Sequence, residues 1–184
     1  MPSILLGMIL FIASEMMFFG SLFGAYYTLR ARAPEWPPPG TPETELILPT
    51  ILTVVLLLSS VTQHFVMLNA RKNNPKRVVW WLTGTIALGL IFLGGEGTEW
   101  LTKILEQDFT IGTNPYATLF FTITGFHGLH LLIGLVILIV AHARARRAAT
   151  TGEKLGSLEA ATYYWHFVDA VWLIVVTSIF YIVA

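Results

Sequence analysis

Apolar residues run along this chain in five long blocks, each broken by only a few polar positions and separated from the next by a short polar stretch. A helix needs roughly 20 mostly apolar residues to cross the hydrocarbon layer of a bilayer. Five segments meet that need, at about 4–29, 46–70, 78–105, 116–143 and 160–183. The connections carry breakers or charge. "ARAPEWPPPGTPETE" is too rich in proline to be helical throughout, "RKNNPKR" reads as a basic turn, "EQDFTIGTNP" as a polar one and "RARRAATTGEKLGS" as a basic loop. No low-complexity segment and no convincing internal repeat interrupts this plan. The pattern predicts an all-α fold, a polytopic bundle of five transmembrane helices forming one membrane domain over residues 1–184.

Composition strengthens that reading. Hydrophobic residues make up 55% of the 184 and charged ones 12%, where a soluble domain carries about a quarter. Net charge is zero, so no general attraction to nucleic acid is expected. With no cysteine there can be no disulfide, thiolate metal site or iron–sulfur cluster. The first apolar block lacks the basic flank and small-residue cleavage site of a signal peptide, and reads as a retained membrane helix. Basic residues are distributed unevenly. Arg71, Lys72, Lys76, Arg77, Arg144, Arg146, Arg147 and Lys154 fall in the second and fourth loops, against Arg30, Arg32 and Lys103 on the opposite side. The excess places the N-terminus in the cytoplasm and the C-terminus outside.

The candidate chemistry lies in the few ionisable residues inside the blocks: Glu15, His64, Glu96, Glu99, His127, His130, His166 and Asp169. His142, at a helix end beside the basic loop, is expected to be solvated. Converting sequence position to depth at about 1.5 Å per residue puts Asp169, Glu15 and His130 in one layer and His127 with Glu96 in another. Spacing of three puts His127 with His130, His166 with Asp169, and Glu96 with Glu99 on common helix faces. These groups are expected to form interhelical hydrogen bonds, with Glu15 in reach of His130 or Asp169. A mid-membrane carboxylate such as Glu15 is also a candidate for proton handling. A bis-histidine haem would need His64 and His166 on facing helices, and no three or four residues converge as a zinc or copper site requires. Gly20 and Gly24, with Ala13 on a similar face, are expected to permit close helix approach. Trp80, Trp81 and Trp100 read as interfacial anchors, and Trp165 and Trp172 as a stripe that packs on protein or on acyl chains.

Several segments resemble subunit III of the haem–copper respiratory oxidases. "FHGLH" at 126–130 and "YWHFVDAVWL" at 164–173 are similar to that family's signature segments. "FIASEMMFF" at 11–19 resembles its carboxylate-bearing helix, "WPPPG" at 36–40 its proline-rich loop, and "GGEGTEW" at 94–100 its acidic position at Glu99, with Glu96 as in quinol-oxidase members. The resemblance covers nearly the whole chain. It implies an accessory subunit with no redox centre of its own, packed against the catalytic subunit I and near subunit II, where haem and copper reside. Bound phospholipid, support of proton uptake, contact with other respiratory complexes and a bacterial cytoplasmic membrane are further implications. Longer members have seven helices, and this chain begins at what would be the third. Cytochrome c is the expected electron source, with quinol the alternative. Two other functions are open from the residues alone: a small proton-coupled transporter using Glu15 and Asp169, and a haem-bearing anchor using His64 and His166.

Overall fold

The computed structural model describes residues 3–43, 45–152 and 158–183. They form five helices: α1 (Ser3–Arg32), α2 (Ile47–Arg71), α3 (Pro75–Leu105), α4 (Pro115–Thr151) and α5 (Glu159–Val175), the last running on into a π-helical turn, Val176–Tyr181. Among the described residues there is no strand. With the π turn counted into α5, all five are long and apolar enough to cross a membrane.

Three boundaries differ from the sequence-based expectation by three residues or more, one of them the end of α1, which runs on to Arg32. The basic stretch after residue 143 is not a loop: α4 continues to Thr151, because Ala and Arg are strong helix formers and water solvates the guanidinium groups. The helix stops at Gly152, whose φ of 74° only glycine adopts easily, and whose N–H returns to the Ala148 carbonyl at 3.0 Å. At the other basic connection α3 starts three residues early. Pro75 occupies its first turn, and the Asn74 side chain accepts the Arg77 N–H at 3.3 Å. His142 is therefore within a helix, half-buried, with its Nε2 3.1 Å from Thr83 Oγ1 on α3. Lys154 lies outside the described residues.

Consecutive helices pack side by side, α2 on α3, α3 on α4 and α4 on α5, and α5 also meets α1 and α2. That makes α5 the most enclosed span and α1 the least. Trp165 of α5 is fully buried and reaches three other helices. Its ring lies where side chains at Gly89 of α3 and Gly134 of α4 would otherwise stand, since a Cβ at those positions would sit 2.7 and 3.1 Å from ring carbons. Its indole N–H donates to Ser59 Oγ of α2 at 3.0 Å. Trp172, two turns on, is equally buried and donates to Thr53 Oγ1 at 2.9 Å. The tryptophan stripe of α5 thus packs on protein, not on acyl chains.

The end of the bundle where α1 stops and α2 begins is closed by aromatic rings. Trp36, which precedes a cis proline bond, packs edge-on against Tyr26 and Tyr116 at 5.5 and 5.7 Å. Ser178 and Ile179 lie in the last turn of the helix, where carbonyls lack an intrahelical donor, and they accept the hydroxyls of Tyr26 and Tyr116 at 2.8 and 2.9 Å.

The expected close-approach glycines are not the ones the fold uses. Ala13, Gly20 and Gly24 are exposed on α1, and a Cβ at either glycine would meet nothing within 4 Å. The tight contacts fall at Gly89, Gly95, Gly125 and Gly134 on α3 and α4, where large side chains from other helices press on the backbone. Spacing of small residues shows where helices could touch, whereas contact depends on which face the bundle turns inward. Gly89→Ala should therefore destabilise the fold by about 1–3 kcal/mol through overpacking against Trp165. Gly20→Ala should be neutral or stabilise by up to about 1 kcal/mol through helix propensity. Thermal denaturation of the two variants in mild detergent separates these outcomes, and equal effects would contradict the packing described.

Candidate functional site

Three groups of polar residues are built into the apolar spans. The first joins α1 to α4. His130 Nε2 lies 2.9 Å from Glu15 Oε2, and His130 Nδ1 lies 2.6 Å from the Phe126 carbonyl one turn earlier on α4. A carbonyl can only accept, so Nδ1 carries the hydrogen and donates. The Nε2–Oε2 contact then holds one proton between carboxyl and imidazole, on either atom. In both arrangements the pair as a whole is uncharged, which is the inexpensive state for such groups in a bilayer. Phe18, Phe19 and Phe167 surround the imidazole, and Tyr164 donates its hydroxyl to the His130 carbonyl at 3.1 Å. Of the two partners expected for Glu15, the structure brings His130 and leaves Asp169 on another side of the bundle.

His127 behaves differently from expectation. It is fully buried, with its ring 5.1 Å from Trp172 and 5.9 Å from Phe92, and neither ring nitrogen has a hydrogen-bond partner among the described residues. It packs as an aromatic ring. The shared layer with Glu96 does not produce a pair. Glu96 is buried with both oxygens unpartnered among the described residues, its carboxyl lying against α4 where Gly128 has no side chain. Glu99 is half-buried and lines a cleft with Glu45, Pro49 and Lys103 where α2 begins and α3 ends. Of the common faces expected from spacing, His166 with Asp169 forms, whereas His127 with His130 and Glu96 with Glu99 turn to different neighbours. Three residues advance a helix by about 300°, so side chains at i and i+3 diverge by about 60°, enough to reach different neighbours.

The third group lies between α2 and α5. Ser60 donates its hydroxyl to Asp169 Oδ2 in a short hydrogen bond, and its oxygen also lies 3.0 Å from His166 Nδ1. His166 Nδ1 and the same carboxylate oxygen are 3.6 Å apart. His64 is exposed beside this seam, in a groove with Met67, Arg71, Glu159 and Tyr163. Among the described residues no three His, Asp or Glu side chains are placed to hold a metal ion.

These positions can be set beside those of known proteins. The sequence profile of the family described as cytochrome c oxidase subunit III matches residues 1–184. The chain belongs to that family. Cytochrome c oxidase subunit 3 of Thermostichus vulcanus is 39% identical over 176 residues, which is 95% of this chain and 85% of the relative. That of Synechocystis is 39% identical over 169 residues, 91% of this chain and 71% of the relative. The human subunit 3 is 40% identical over 181 residues, 95% of this chain and 68% of the relative. As a subunit III the chain is an integral membrane component of a haem–copper oxidase complex, which fits its five apolar helices.

Sequence reasoning missed several partners in these subunit III contacts. Ser59 and Ser60 supply the α2 side of two of them, and Gln63 Nε2 donates to Thr162 Oγ1 at 2.8 Å. A signal was present, because "SSVTQH" is an unusually polar run inside an apolar helix. The Glu15–His130 pair can be tested by a double-mutant cycle with Glu15→Ala and His130→Ala. Each single change leaves the other group at least partly buried and without this partner and should cost about 1–3 kcal/mol. The double variant should lose clearly less than the sum, with a coupling of at least about 1 kcal/mol. Additive losses in detergent unfolding would mean the contact is not formed. Glu15→Gln should retain most of the stability, since its amide can donate to Nε2.

Proposed function

We propose that this chain is the non-redox accessory subunit of its oxidase, holding the environment of the catalytic subunit while oxygen reduction takes place at haem and copper elsewhere in the complex. The observation that carries the reading is the whole-chain match to the subunit III family, together with how its polar side chains are used. Glu15, His130, His166 and Asp169 are engaged with neighbouring helices and do not converge on a common centre. Glu96, Glu99 and His127 are read in the same way, as structural groups of the bundle.

Subunit I is the main partner in this reading, with subunit II nearby, and cytochrome c is the electron source, in keeping with the names of the relatives. The cyanobacterial relatives support a bacterial membrane. Lys76 and Arg77 share a groove with Trp80 and Trp81 at the start of α3, a combination suited to phospholipid head groups at the membrane surface. The orientation follows the charge asymmetry, N-terminus in the cytoplasm and C-terminus outside.

Removal of this chain from the assembled oxidase should leave the haem spectrum intact and initial oxygen consumption largely preserved. Sustained turnover should then decay faster and proton uptake should weaken. Immediate loss of a haem band would show that the chain holds a cofactor and would overturn the reading. For orientation, single cysteines at Thr41 and Thr151 should react with an impermeant maleimide from opposite sides of intact cells, Thr41 from outside. Labelling of both from one side would refute the proposed topology.

A further inference from the structure

Polar atoms of Gln63, Glu96, His127 and Asp169 are buried in the spans without a partner among the described residues. Gln63 and Asp169 each have another atom engaged, and His127 packs among rings. Glu96 is different. Neither of its carboxyl oxygens is engaged, and the residue lines a cleft of about 210 Å³ between α3 and α4. That is less than a drug-sized ligand fills, and it suits the head of an amphiphile whose tail lies among acyl chains.

The cleft exists because of glycine. A Cβ at Gly125 of α4 would sit 2.9 Å from the Trp100 ring, and one at Gly128 would sit 3.1 Å from Glu96 Oε2. Both α3 side chains therefore lie directly on the α4 backbone. On α3, Gly97 is exposed and a Cβ there would meet nothing within 4 Å, which leaves the mouth open. Glu96 lies one turn inward of Trp100 and about 14 Å from the end of α3, in the half of the bilayer where that helix finishes.

The hydrogen-bonding capacity of the cleft is one-sided. The Trp100 indole N–H donates to Thr124 Oγ1 at 3.1 Å, and the Thr124 hydroxyl donates to the Phe120 carbonyl at 2.7 Å. Both hydrogens are spent inside the protein, and what remains is the Glu96 carboxyl with the second lone pair of Thr124. A hydroxyl suits this arrangement in either protonation state of Glu96. It donates to a carboxylate, and it can donate to and accept from a neutral acid. An ether has no hydrogen to give, and an ammonium group would have to leave water for the membrane interior. Leu93 and the Trp100 ring supply an apolar wall. No hydrogen bond fixes the Glu96 carboxyl among the described residues, so rotation about its terminal torsions is enough to turn an oxygen toward the cleft.

We propose that this cleft binds a membrane-soluble alcohol, with one hydroxyl bonded to the Glu96 carboxyl and its apolar body against Leu93 and Trp100. The alcohol enters sideways from the bilayer past Gly97. This gives Glu96 a ligand in addition to its place in the bundle, and it does not depend on the accessory-subunit reading.

Photolabelling of the intact oxidase in lipid nanodiscs tests it. The probe is a medium-chain primary alcohol with a diazirine in mid-chain, and the control is its methyl ether, which has no hydrogen to donate. Adducts are mapped to residues by mass spectrometry. The alcohol should label Leu93, Gly97 or Trp100 at about five times the yield of the ether, the factor that one hydrogen bond of ordinary net strength gives. Glu96→Leu should reduce the alcohol to the yield of the ether. Gly97→Leu fills the mouth at a position with open space around it and should suppress both probes. Retention of each variant in the oxidase shows that it is folded. Equal labelling of the unmodified chain by alcohol and ether would overturn the proposal, since it means partitioning into an apolar groove only. So would an excess that survives both substitutions, or a cleft that neither probe labels.

Discussion

Much of this bundle depends on one residue, Trp165, because its ring and its N–H together tie four of the five helices. The ring requires a glycine on α3 and a glycine on α4, and the N–H requires a hydroxyl on α2. In water such a ring would be buried by the hydrophobic effect. Within a bilayer that driving force is absent between helices, and association rests on close packing and on hydrogen bonds. Trp165 supplies both from one side chain. Tyr164 adds to it by packing on the same Gly134 and donating to the backbone of α4 at His130. The first residues of the "YWHFVD" segment are thus an assembly device before they are anything else.

The same demand for internal satisfaction organises the ionisable groups. Glu15 and His130 share a proton across the α1–α4 contact and remove a net charge from the span. This contact matters because α1 is the least enclosed helix, held chiefly by aromatic packing against α4 and α5 and by the tyrosines at its far end. Ser60, His166 and Asp169 form a comparable cluster between α2 and α5, though His166 is partly open to the outside. His127 and Glu96 sit apart from these clusters, each enclosed by apolar or glycine surface.

An accessory subunit of an oxidase fits this distribution of chemistry. Glu15, His130, His166 and Asp169 are committed to neighbours in their own chain.

The sequence by itself determined the spans, their number and the family. Span length and hydropathy answer to bilayer thickness, and motifs such as "FHGLH" are local in the chain. It also singled out Glu15 and His130, because both are polar groups at one depth in apolar helices and each needs a partner. What only the tertiary structure decided is angular: which way each helix faces. Depth along a helix can be counted from residue number, but rotation about its axis is set by packing against neighbours. For that reason Asp169 meets Ser60 and not Glu15, His127 packs on Trp172 and not on Glu96, and Gly89 and Gly134, not Gly20 and Gly24, admit a neighbouring ring. The extension of α4 through its arginines was likewise hidden, since the hydropathy that reports a membrane boundary says nothing about where a helix stops in water.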